Sequence, residues 1–167
     1  MAALVLFCAA LLAASALHKA TARERLAAAT AKLVGAKLAG TGALGGQLLL
    51  IVAGTVELVA AACLLIAPLR ITGALIAAGL WAVYALALAR HRGETLDCGC
   101  DLAARAKPVT WALVLRSVGL ALLAGGTALL PEAPLTLDAP FAAAGLLALY
   151  LGASELLAIP APHWKAA

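Results

Sequence analysis

Charge is scarce in this sequence: 12% of its 167 residues are Asp, Glu, Lys or Arg, about half the share of an ordinary soluble domain. With so few charged side chains and 65% apolar residues, the chain cannot cover a water-soluble globule. The apolar excess also excludes intrinsic disorder, which needs low hydrophobicity and high charge. Aromatics make up only 4%, and no alternating strand pattern broken by regular turns is present, which excludes a transmembrane barrel. There is no CxxC, GxGxxG, Walker loop or HExxH, so nucleotide-driven transport and soluble-type catalysis have no support. No basic stripe is interleaved with aromatics, so nucleic acid is not an expected partner.

What is present is alanine, leucine and glycine, with a mean hydropathy of +1.07. The expected fold is all-α, an integral membrane helical bundle of four to five transmembrane helices forming one transmembrane domain over 1–167, with the lipid bilayer as its surroundings. Five apolar stretches carry it, at about 2–17, 47–67, 71–89, 109–130 and 141–159. The first is the shortest, and it is read as a helix because no basic region precedes it as in a signal peptide. Between the first two, segment 19–46 holds Lys19, Arg23, Arg25, Lys32 and Lys37, with Leu26, Ala29, Leu33 and Ala36 at helical spacing. An amphipathic helix lying in the headgroup layer is expected there.

Basic residues set the expected orientation. Ten fall on the side holding segment 19–46, the loop 90–108 and the C-terminus, one (Arg70) falls on the other side, and Arg116 lies within a span. This asymmetry places the N-terminus outside and the 90–108 loop in the cytoplasm of a multi-pass protein of a bacterial-type inner membrane.

That loop contains Cys98-Gly99-Cys100. Two thiols one glycine apart close only into a small strained ring, and such a disulfide belongs to the labile, catalytic kind. Two neighbouring thiolates also suit a soft metal ion. Cys8 and Cys63 sit in apolar runs and read first as small hydrophobes. Placed six and four residues from the outer ends of their helices, they would also form a second thiol pair if those helices face each other. Three ionisable residues lie within spans: Glu57, Arg116 and Glu155. Such groups are functional or paired, and Arg116 is expected to pair with Glu57 or Glu155. Leaning toward the start of its helix, it would also favour thiolate formation in the Cys98–Cys100 loop. Trp81, Tyr84, Trp111, Tyr150 and Trp164 read mostly as interfacial anchors.

Several of these runs together resemble one family. Ala16-Leu17-His18-Lys19, Val56-Glu57-Leu58, Leu96-Asp97-Cys98-Gly99-Cys100, Thr110-Trp111 and Leu115-Arg116 resemble, in order and spacing, the MauE family of methylamine-utilisation membrane proteins within the DoxX-like group. Two positions depart from its pattern: Asp101-Leu102 follows the second cysteine in place of Phe-Gly, and Gly54 replaces a proline often found three residues before the glutamate. The resemblance implies a maturation factor working with a thioredoxin-like partner on a disulfide-rich client outside the cytoplasm. The charge distribution places Cys98 and Cys100 inside, so both hold only if electrons cross the membrane or the topology is inverted. The leading expectation is a thiol-disulfide redox or maturation protein, possible as an oxidoreductase, with its client unidentified and no cofactor evident. The alternatives are a soft-metal transporter of mercury or copper type, with Cys98 and Cys100 as ligands, and a non-catalytic assembly scaffold.

Overall fold

The computed structural model describes residues 2–34, 43–96, 107–131 and 136–156. Helix α1 spans Ala2–Thr21, α2 Arg23–Val34, α3 Ala43–Leu65, α4 Arg70–Arg90, α5 Trp111–Leu129 and α6 Ala139–Leu156. Among the described residues, all of these helices except α2, five in number, are long and apolar enough to cross a membrane. The fold is the expected all-α membrane bundle.

Connections between the helices follow from local chemistry. After α3, Pro68 sits in a single 3-10 turn over Ala67–Leu69, where its missing N–H is tolerated, and the chain reverses directly into α4. A side chain at Gly73 would place its Cβ 2.6 Å from the backbone nitrogen of Leu64, so the α3–α4 hairpin closes only because Gly73 has none. At its far end, α4 gives way to Gly93, in the left-handed region at φ 85°, where glycine carries no Cβ penalty. Thr95–Leu96 (β1) and Lys107–Pro108 (β2) then form a two-residue antiparallel ladder, which Gly93 N–H to Val109 O (3.1 Å) and Val109 N–H to Glu94 O (2.8 Å) extend. Segment 97–106, with Cys98 and Cys100, lies outside the described residues, but it leaves from and returns to this ladder. At the opposite end, Arg70 donates to the carbonyl of Leu130 (3.2 Å), a cation closing the last turn of α5. Asp138 precedes α6, and hydrogen bonds from the Thr136 hydroxyl and its own backbone hold its carboxyl below the ordinary range.

α4 packs most extensively on α5, α3 lies between α1 and α4, and α6 leans on α1. Their shared core joins Cys8 and Leu12, Ala60 and Leu64, Ala74, Ala77 and Trp81, Leu120 and Ala124, and Ala143. Alanine at so many of these positions lets helix backbones approach closely.

Two expectations are corrected. Segment 19–46 is not one headgroup-layer helix: α1 continues to Thr21, and the chain bends at Ala22 before α2. Leu26, Ala27 and Ala29 of α2 are buried, and α2 packs against the start of α3, where Gly46 meets the backbone of Ala27. Leu26 and Ala29 of the apolar stripe are thus covered by protein. Leu33 and Ala36 lie outside the described side chains. Trp81, expected near an interface, stands mid-helix in the core, 5% exposed, whereas Trp111 opens α5 in an exposed position beneath Arg92, 4.3 Å from its ring centre.

Candidate functional site

A polar cluster joins α1, α3 and α4 inside the bundle. Ser15 and Lys19 are four residues apart on α1, hence on one face, and that face meets Glu57 of α3. Lys19 Nζ donates to Glu57 Oε1 at 2.6 Å and to Ser15 Oγ at 2.7 Å. Ser15 Oγ donates to the same carboxylate oxygen at 3.0 Å, as does Tyr84 Oη from α4, also at 3.0 Å. Lys19 Nζ also lies 5.4 Å from the centre of the Tyr84 ring, within reach of its electron-rich face. Lys19 and Glu57 are both withdrawn from solvent, with side-chain exposures of 6% and 1%. Glu57 therefore gathers three donors on Oε1, while its buried Oε2 has no hydrogen-bond partner among the described residues. Such a pair persists in a low-dielectric interior because each ion compensates the other and the Ser15 and Tyr84 hydroxyls add donors to Oε1.

Lys19 was expected among the basic residues of the headgroup layer, so its burial is a correction. Glu57 was expected as a partner of Arg116, and the structure gives it to Lys19. The reason is the extra turn of α1, which carries Lys19 down the same face as Ser15. Its sequence signal was the Ser15–Lys19 spacing together with an intramembrane glutamate needing a cation. Arg116, on α5, donates from Nη1 to Ser154 Oγ of α6 at 3.1 Å, with its guanidinium 5.6 Å from the ring centre of Tyr150. Glu155 follows Ser154 and is exposed. On the ladder side, His91 Nδ1 lies 3.3 Å from Glu94 Oε1.

Cys8 and Cys63 are both free thiols. Measured from the Ser15–Glu57 hydrogen bond, Cys8 lies about 10 Å along α1 and Cys63 about 9 Å along α3 at 1.5 Å per residue, so their depths match. Their faces do not. Cys8 is two turns from Ser15 and shares its face, whereas Cys63 is rotated about 120° from Glu57. It turns toward α4, where a Cβ on Gly73 would come within 2.9 Å of its own. Cys98 and Cys100 lie outside the described residues. Among the described residues no group of three or more His, Cys, Asp or Glu side chains is placed to hold a metal ion.

Fold and site together define a multi-pass helical membrane protein, its spans tied by a buried lysine–glutamate pair, with a dithiol segment returning to a ladder at one end of the bundle. The chain belongs to the MauE family: its residues 1–131 match the family model described as methylamine utilisation protein MauE. It is 38% identical over 122 residues to methylamine utilization protein MauE of Paracoccus denitrificans, with 68% of this chain and 66% of that protein covered. To the protein of the same name from Methylorubrum extorquens AM1 it is 44% identical over 79 residues, covering 44% of this chain and 42% of the relative. The chain thus spans just under two thirds of the first relative's length and less than half of the second's. No solved structure matches it. The family match takes in Lys19, Glu57, Cys98, Cys100 and Arg116, and ends before α6.

Proposed function

We propose that this chain is a membrane factor of methylamine utilisation that exchanges disulfides through Cys98 and Cys100 with a thioredoxin-like partner, serving the maturation of a client protein. The observation that carries this reading is the Cys98-Gly99-Cys100 element within the family match, in a segment whose two ends pair at the ladder between Thr95–Leu96 and Lys107–Pro108. The ladder at Thr95–Leu96 and Lys107–Pro108, beyond the end of α4 at Arg90 and before α5, supports a reading in which a soluble partner reaches these cysteines.

The chemistry balances within the two proteins. The Cys98 thiolate attacks a disulfide of the partner, a mixed disulfide forms, and one partner thiolate leaves. Cys100 then attacks Cys98, closing the Cys98–Cys100 disulfide and releasing the second partner thiolate, so two electrons pass to the partner. The reverse sequence oxidises a partner dithiol. Cys98 is assigned the attacking role because Arg90, His91 and Arg92 precede it in the chain, and nearby cations favour the thiolate. Arg116 contributes from α5 by holding α6 through Ser154.

Replacing Cys100 by Ser should trap a covalent adduct between Cys98 and a thioredoxin-like protein, visible on a non-reducing gel, and Cys98→Ser should trap none. If neither variant traps a partner and both lose binding of mercuric or cuprous ion, these thiols are ligands of a soft-metal transporter. If the client still binds both variants and neither effect appears, the protein is a scaffold.

A further inference from the structure

Three hollows in the surface meet at Arg23. One, of about 250 Å³, is a groove between Ala16 and Ala20 of α1 and Leu50, Ile51, Gly54 and Leu58 of α3. Lys19 also lines it, but its ammonium is engaged by Glu57 and Ser15. A second, of about 260 Å³, shares Arg23, Leu50 and Ile51 with the first and adds Glu24 and Gln47. A third, of about 370 Å³, curves round the bend between α1 and α2 past Thr21, Arg23 and Arg25. The surface is therefore amphipathic along one line, polar and cationic at the bend and apolar toward the middle of the span.

Its length and direction identify an occupant. From Arg23 to Ala16 along α1, and from Leu50 to Leu58 along α3, the groove runs about 10 to 12 Å at 1.5 Å per residue, parallel to the helices and into the hydrocarbon. The groove is open at Gly54, where an added Cβ would meet no atom within 4 Å. Ile51 and Leu58 are 56% and 54% exposed, as expected of side chains that face acyl chains. Charge complementarity selects the head group: Arg23 lines all three hollows, and guanidinium groups pair with phosphate. We propose that this groove is a binding site for one anionic phospholipid, its phosphate at Arg23 and one acyl chain lying past Gly54 to Leu58.

The test is native mass spectrometry of the full chain in neutral detergent, titrated with phosphatidylglycerol and, separately, with phosphatidylcholine of identical chains. One phosphatidylglycerol should be retained about fivefold more tightly than phosphatidylcholine, whose choline cation offsets its phosphate, the preference expected of one basic residue for a net anionic head group. Arg23→Gln, a change at an exposed position, should abolish that preference. Gly54→Leu should fill the groove and weaken retention of both lipids tenfold or more, since each buried CH₂ is worth about fourfold. Gly54→Ala, which meets nothing, should retain phosphatidylglycerol as the parent does and so separates occlusion from misfolding. Soluble glycerol phosphate should not displace the lipid; displacement would make this a free-phosphate site. Equal retention of the two lipids by the parent chain, or unchanged retention in Gly54→Leu, would overturn the proposal.

Discussion

Lys19 and Glu57 stand in a place where neither charge survives alone. With side-chain exposures of 6% and 1%, removing one partner leaves the other ion desolvated, and such losses run to about 3 to 5 kcal/mol. Lys19→Met and Glu57→Leu should each lower stability by roughly that amount, measured by denaturant unfolding in bicelles, whereas the double variant should recover most of the loss. A double variant no more stable than the worse single one would show that the pair is not an energetic unit. Glu57 was legible in the sequence as an intramembrane carboxylate, but its partner was not. Lys19 lies near the end of its apolar run, and only the continuation of α1 to Thr21 decides that it is buried beside Glu57. Arg116 was equally visible as an intramembrane cation, but its contacts with Ser154 and Tyr150 of α6 were not, because the helix beside α5 at that depth is set by packing.

Among the elements, the α3–α4 hairpin depends most on a single residue. A Cβ on Gly73 would lie 2.6 Å from the Leu64 nitrogen and 2.9 Å from the Cys63 carbonyl carbon, backbone atoms that cannot turn aside. Gly73→Ala should therefore destabilise the bundle by about 1 to 3 kcal/mol, the usual cost of overpacking, while Gly79→Ala in the same helix, which meets nothing within 4 Å, should be neutral or slightly stabilising. Thermal unfolding of the two variants in one detergent makes the comparison. Helix number and type were readable from the apolar runs. Helix ends moved by a few residues, because hydropathy reports where lipid begins and hydrogen bonding continues past it, as at Thr21 of α1.

For the molecule as a whole, orientation follows from charge. Moving Lys19 into the bundle reduces the basic residues on its side from ten to nine, still against the single Arg70, so the bias survives the correction. Cys98 and Cys100 should resist a membrane-impermeant maleimide applied to intact cells and react after permeabilisation. Labelling from outside would invert the topology and bring the dithiol to the compartment implied by the family resemblance.

The sequence by itself determined the class of this protein and its long apolar helices, because both depend on composition and on run length. Tertiary structure alone decided that Lys19 meets Glu57 and Tyr84, that Cys8 and Cys63 face different neighbours, and that Leu26 and Ala29 of α2 are buried. These are relations between helix faces. Rotation about a helix axis is set by close packing at small residues such as Gly46 and Gly73, and in a chain this uniformly apolar the hydrophobic pattern does not distinguish one face from another.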